Sequence, residues 1–228
     1  MIKTVFFDLD DTILDFKLSE RIALSKTLRE LGITPDDAVL ERYSVINLQQ
    51  WKRLERKEIT REQVKVGRYK LLFDEFGIDA SPQLATSLYE KNLACGHYFI
   101  DGAPELIEKL YKDFDLYIVS NGTKKVQDGR LSTANINQYF KGIFISETVG
   151  YEKPAREFFD YCFAKIDNFS KEGAVIIGDS LTSDIKGGIN AKIKTVWYNP
   201  KRLDNFTEIK PDYEVQTFSE IPKILYTL

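Results

Sequence analysis

Five short runs of apolar positions punctuate the chain: Val5-Phe6-Phe7, Leu116-Tyr117-Ile118-Val119, Ile143-Phe144-Ile145, Ala174-Val175-Ile176-Ile177 and Thr195-Val196-Trp197-Tyr198. Their hydrophobicity is continuous rather than alternating, the pattern of strands covered on both faces. Between them the spacing turns helical. Leu106, Ile107, Leu110 and Tyr111 form one stripe, and Phe158, Phe159, Cys162 and Phe163 form another. From residue 102 onward strands and helices therefore alternate, which predicts parallel βαβ units, with a weaker edge strand at Tyr213-Glu214-Val215 and a final helix.

The stretch from 17 to 97 is patterned differently, with frequent helix signals and scarce strand signals. Leu24, Leu28 and Leu31 share a helix face, and Gly32 is placed as a stop. Thr34-Pro35-Asp36-Asp37 predicts a helix start capped by Thr34, with Pro35 in the first turn. Thr60 and Gln63 fit a capping box, and Ser81-Pro82 is a further cap-plus-proline start. The charged run from Lys52 to Glu58 reads as a solvated helix face. Four helices between the first and second strands predict a small helical domain inserted into an α/β domain.

The composition narrows what such a chain can do. Its net charge of -3 argues against a basic surface that tracks nucleic acid. No apolar run approaches the ~20 residues of a membrane span, and the apolar stretch between Lys3 and Asp8 is too short for a secretory signal, so a cytoplasmic protein is expected. Two cysteines, Cys95 and Cys162, supply neither a four-thiolate zinc site nor a disulfide framework. The single histidine, His97, excludes metal sites that need two. Carboxylates, hydroxyls and lysines are left to carry any chemistry.

Those groups collect at the predicted strand ends. The first strand ends FFDLDDT, residues 6 to 12; in an extended chain Asp8 and Asp10 point to one side, where open α/β sheets bind ligands. The fourth ends IIGDSLTSD, residues 176 to 184, with Gly178 allowing a tight turn, Asp179 where the strand stops, and Ser183 placed to cap a helix containing Asp184. Carboxylates gathered at one edge repel by about 4 kcal/mol per pair at ~4 Å and an effective dielectric of ~20, unless a cation sits among them. Magnesium suits such an oxygen-only site. The second strand ends IVSNGT, where Ser120 offers a hydroxyl and Asn121, Gly122 and Thr123 offer amides to an anion. Lys153, in GYEKPAREFF, stands before a predicted helix start at Pro154, against the helix dipole.

Taken in order, these four segments closely resemble the motifs of the haloacid dehalogenase superfamily of phosphatases: Asp8, Asp10 and Thr12 match D-x-D-x-T, Ser120 the second motif, Lys153 the third, and Asp179 with Asp184 the fourth. The resemblance implies a Rossmann-like parallel sheet core over residues 1–16 and 98–228 and an all-helical cap over 17–97. It implies Mg²⁺ held by Asp8, the Asp10 carbonyl and Asp179, with Asp184 orienting the site from behind. It also implies Asp8 as nucleophile, Asp10 as acid and base, and Ser120, Asn121 and Lys153 as the phosphate-binding residues. Asp10 favours phosphate esters over halides, because a halide leaves without a proton and an alkoxide does not. The segments FFDLDDTILDF, SNGT and IIGDSLTSDIKGGINAKIKTVWYNP resemble bacterial pyrimidine 5′-nucleotidases of this superfamily, which implies a small phosphorylated metabolite, a nucleotide, as partner. N-acylneuraminate 9-phosphate phosphatases begin similarly and are the rival likeness. Trp51 and Tyr98-Phe99 are aromatic candidates for stacking on a base.

Overall fold

The computed structural model describes residues 1–228. Six strands, β1 (Thr4–Phe7), β2 (Asp115–Ser120), β3 (Gly142–Ile145), β4 (Ala174–Gly178), β5 (Lys194–Tyr198) and β6 (Tyr213–Val215), form one sheet in the order β3-β2-β1-β4-β5-β6. Every neighbouring pair is parallel. The apolar runs thus became strands, and the weak 213–215 segment became the edge. The order reverses at β1, which lies between β2 and β4, and such a reversal opens a crevice at the carboxyl ends of the strands. Phe6 sits opposite both Tyr117 and Ile176 and packs with Phe158, Phe159 and Cys162, so the first strand is the centre of the core.

Of the five helices between β1 and β2, the first four are α1 (Phe16–Glu30), α2 (Asp37–Glu55), α3 (Arg61–Phe76) and α4 (Pro82–Leu93). They are followed by α5 (Ala103–Leu110), α6 (Lys124–Ala134), α7 (Ser146–Val149), α8 (Arg156–Phe163), α9 (Lys186–Ala191) and α10 (Ile221–Thr227). The chain divides into an α/β unit, Met1–Asp15, Phe99–Lys124 and Ala134–Leu228, and a helical unit, Phe16–Tyr98 with Lys125–Thr133. The helical unit therefore takes in most of α6, which the strand-and-helix pattern of 17–97 did not suggest. The cause is packing: Val126 is buried with Leu24, Leu28 and Leu93, and Arg130 donates to the Gly96 carbonyl at 3.0 Å.

Local signals explain most helix ends. Thr60 and Gln63 close the capping box of α3, and Ser81 caps α4 with Pro82 at its first turn. The start of α2 differs from expectation. Asp36, not Thr34, is the cap, because its extended backbone lets the carboxylate accept the Ala38 N–H at 2.7 Å, and Pro35 lies outside the helix. Tyr111 falls one residue beyond α5 and is exposed rather than part of the buried stripe. The helical unit also contains a polar core that periodicity could not reveal. Arg68 lies under the rings of Tyr43, Tyr69 and Tyr89, donates to Asn47, and is linked through that amide to Glu20. A buried guanidinium is tolerated there because Asn47 relays it to a carboxylate and three aromatic faces cover it. Burial pushes the Tyr43 hydroxyl up to about 12. No helix is long and apolar enough to cross a membrane.

Candidate active site

Parallel register places the carboxyl ends of β1, β2 and β4 side by side. Phe7 is opposite Ile118 and Ile177, so Asp8 follows where β2 continues to Ser120 and β4 ends at Gly178. The Asp8 N–H still donates to the Ile177 carbonyl at 3.0 Å, and this fixes the nucleophile candidate to the sheet. The strand itself stops at Phe7, one residue before Asp8. Residues 9–14 fold into a tight turn in which the Leu9 carbonyl accepts from Ile13 and Leu14, and Asp11 is left-handed at φ 57°.

Lys153 reaches into this edge and is almost fully buried. Its ammonium donates to Asp8 Oδ1 at 2.6 Å, to the Val119 carbonyl at 2.7 Å and to Asp184 Oδ1 at 2.6 Å, which uses all three protons. Burial alone would lower the lysine's pKa, but Asp184 and Asp8 outweigh it and hold the pKa above the ordinary lysine value. The sequence placed Lys153 at a helix start; in fact α8 begins at Arg156, with Ala155 as its cap residue, and the lysine belongs to the preceding turn. Its main chain is fixed by Asn121, whose side-chain amide donates to the Lys153 carbonyl at 2.8 Å and accepts the Lys153 N–H at 2.8 Å. The Asn121 side chain is thus engaged with Lys153 through its oxygen and one of its N–H donors. The Ser120 hydroxyl accepts from the Gly122 N–H at 3.1 Å at the end of β2.

Asp184 comes from a π-helical turn, Leu181–Ile185, rather than from a helix capped by Ser183. Ser180 is the cap, accepting from the Ser183 N–H, and the wide turn swings Asp184 back so that its Oδ2 accepts the Ser180 N–H at 3.1 Å. Gly178 makes room for this. A Cβ there would lie 2.4 Å from the Asp184 carboxylate, too close for any other residue. Both carboxylate oxygens of Asp184 are therefore occupied, one by an ammonium and one by a backbone N–H.

Asp8, Asp179 and Asp184 bring carboxylate oxygens within 4.8 Å of one another. The Asp10 carboxylate is not among these three, yet its charge is felt by Asp8. Burial pushes Asp8 up to about 8; Lys153 opposes this, and Asp184 and Asp10 reinforce it. One ammonium is too little positive charge for these carboxylates to stay ionised together. An all-oxygen donor set with an excess of negative charge is chemically what Mg²⁺ takes, so the residues fit that ion.

Residues 5–198 match the haloacid dehalogenase-like hydrolase family. The chain belongs to it. The HAD-hydrolase YfnB of Bacillus subtilis is 42% identical over 223 residues, covering 98% of this chain and 95% of YfnB. Its crystal structure, bound to magnesium, superposes with a TM-score of 0.94 over 98% of both chains. The pyrimidine 5′-nucleotidase PynA of Streptococcus pneumoniae is 39% identical over 220 residues, covering 96% of this chain and 93% of PynA. The pyrimidine 5′-nucleotidase YjjG of Escherichia coli is 26% identical over 97% of this chain and 96% of its own. The parallel sheet of this hydrolase, with its inserted helices, is the expected Rossmann-like architecture.

Two residues that shape this site were given no individual role by the sequence. Thr12 accepts the Asp179 N–H at 3.1 Å, and Trp197 donates its indole N–H to the Asp179 carbonyl at 2.8 Å. Thr12 was visible as part of a motif. Trp197 sits in an apolar strand run, where tryptophan reads as core.

Proposed function

We propose that this hydrolase is a magnesium-dependent phosphomonoesterase that works through a phosphoaspartate on Asp8, with pyrimidine nucleoside 5′-monophosphates as preferred substrates. The observation that carries the phosphatase reading is the buried Asp8–Lys153–Asp184 arrangement at the carboxyl end of the central strand, with Asp10 close enough to perturb Asp8. The likeness to PynA over nearly the whole chain supports the nucleotide class.

In this reading an Asp8 oxygen attacks phosphorus, a new P–O bond forms, and the ester P–O bond breaks. Asp10 gives its proton to the departing alkoxide. It then takes a proton from the water that attacks the phosphoaspartate, and inorganic phosphate leaves while Asp8 is regenerated. Ser120, the Asn121 N–H and Lys153 hold the phosphoryl oxygens, so that charge building on them meets donors already in place. Asp8, the Asp10 carbonyl and Asp179 would hold Mg²⁺, which supplies neutralisation of the carboxylates and polarisation of the phosphoryl group. Asp184 keeps Lys153 and the turn after β4 in register behind them.

Two measurements test this. The first is kcat/KM across pyrimidine and purine nucleoside monophosphates, sugar phosphates and N-acylneuraminate 9-phosphate at saturating magnesium. Uridine and thymidine monophosphates are expected to lead; a sugar phosphate or purine nucleotide ahead of every pyrimidine nucleotide by about tenfold would remove the nucleotidase reading and leave the phosphatase chemistry. The second compares leaving groups. Asp10→Asn is expected to slow phosphorylation of Asp8 by alkyl phosphates by about 10²–10⁴-fold and by an activated aryl phosphate far less, in single-turnover kinetics. Equal losses for both would take the acid role from Asp10.

A further inference from the structure

Asp179 is held by its main chain from two sides. Its N–H donates to the Thr12 hydroxyl at 3.1 Å, and its carbonyl accepts the Trp197 Nε1–H at 2.8 Å. Parallel register makes the second contact possible, because Trp197 in β5 is opposite Gly178, the residue just before Asp179. Trp197 is only 4% exposed, and an indole N–H so enclosed must find an acceptor. Of the carbonyls at this edge, it takes the one belonging to a carboxylate of the acidic cluster. Beyond β4 that carbonyl is no longer part of a strand, so the indole does for it what a ladder hydrogen bond would otherwise do.

We propose that Trp197 is a positioning residue for the divalent cation: its N–H fixes the Asp179 peptide plane and, through it, the direction of the Asp179 carboxylate. The inference rests on the reading of Asp179 as a magnesium ligand and goes beyond it by naming what aims that ligand. Magnesium demands near-octahedral geometry at about 2.0–2.1 Å, with little tolerance for a ligand that swings. Functional groups need to be held to within roughly 0.5 Å and 10–20° of the productive arrangement. Thr12 restrains the peptide unit before Asp179, and Asp184, which accepts the Ser180 N–H, holds the nitrogen end of the unit after it. Trp197 holds the carbonyl end of that second unit, so the peptide planes on both sides of Asp179 are restrained and the ion does not have to order the ligand as it binds.

The test separates the hydrogen bond from the packing of a large ring. Magnesium binding is measured by calorimetry on the wild-type protein, on Trp197→Phe, and on protein in which Trp197 alone is replaced by β-(3-benzothienyl)alanine, which keeps the bicyclic shape and puts sulfur where the N–H was. Tyr198→Phe, one residue along β5, serves as the packing control. Loss of one restraining hydrogen bond is expected to weaken Mg²⁺ binding by about three- to tenfold in both Trp197 replacements. Tyr198→Phe should bind Mg²⁺ as the wild type does, and the benzothienyl protein should melt within a few degrees of it without metal. Should Trp197→Phe fail to fold, the benzothienyl protein carries the decision. Magnesium affinity in that protein within a factor of two of wild type overturns the positioning role while leaving the metal site standing. Absence of Mg²⁺ binding by the wild-type protein overturns both readings together.

Discussion

Asp8→Asn is expected to abolish turnover, to below about a ten-thousandth of the wild-type rate, and to make the metal-free protein more stable. The first effect follows because an amide oxygen cannot become an acyl phosphate that water then cleaves. The second follows from the same residue's environment. An ordinary aspartate releases its proton near 3.8, whereas burial keeps Asp8 protonated up to about 8, despite Lys153. Between these two values the folded chain binds a proton that the unfolded chain has released. Stability therefore falls as pH rises through that window, by up to about 1.4 kcal/mol per pH unit. Asparagine mimics the protonated side chain, still accepts from Lys153, and carries no such slope. The melting temperature of metal-free Asp8→Asn should match that of the wild type at or below about pH 4 and exceed it increasingly toward pH 8. Added Mg²⁺ should narrow the gap by stabilising the wild type. A gap that shrinks with rising pH in the absence of metal would contradict the environment assigned to Asp8, and near-normal turnover would contradict its role.

The site edge was legible in the sequence because its polar residues interrupt apolar strand runs. Asp8, Ser120 and Asp179 stand where an apolar run meets polar residues, and a parallel sheet gathers all such junctions at one end. Strand location alone therefore predicted their neighbourhood. Lys153 and Asp184 needed more than that. Neither lies on a strand, and their approach depends on a turn clamped by Asn121 and on a π-helical turn that Gly178 leaves room for. Residue type and order pointed to them, but the geometry that the sequence suggested, a helix start at Pro154 and a Ser183 cap, was not the geometry found. The helical unit shows the same division. The capping box at Thr60 and the Ser81 cap with Pro82 are local and were readable, whereas the attachment of α6 depends on Val126 and Arg130 meeting residues from before β2. The Arg68–Asn47–Glu20 chain was illegible for the same reason. Its members come from three helices, and each alone reads as a surface residue.

Lys153→Met should be the most damaging single change to the α/β unit. Methionine nearly matches the length of the lysine stem, so the loss is chiefly of charge. The ammonium holds Asp8, Asp184 and the Val119 carbonyl together, and removing it leaves two buried carboxylates facing each other without a counter-charge. Breaking a buried ion pair in this way costs about 3–5 kcal/mol. The carboxylates can relieve part of that cost by binding protons, so the sign of the pH dependence is fixed. The wild-type lysine stays charged throughout the range from about pH 6 to 9, because its neighbours hold its pKa above the ordinary value. Asp8 loses the neighbour that lowers its pKa, so the variant keeps that proton to higher pH than the wild type, which releases it near 8. The loss of stability relative to wild type should therefore grow as pH rises past about 8, being smaller at about pH 6 than at about pH 9, and Mg²⁺ should recover part of it by returning positive charge to the cluster. Turnover should remain at least about a thousandfold below wild type even where the fold is recovered, since a donor to the phosphoryl oxygens is gone. Thermal melts at both pH values, with and without Mg²⁺, check the first expectation, and steady-state kinetics at saturating metal check the second. A variant destabilised equally at both pH values would show that Lys153 contributes packing rather than charge, and a variant that turns over normally would remove it from the catalytic arrangement.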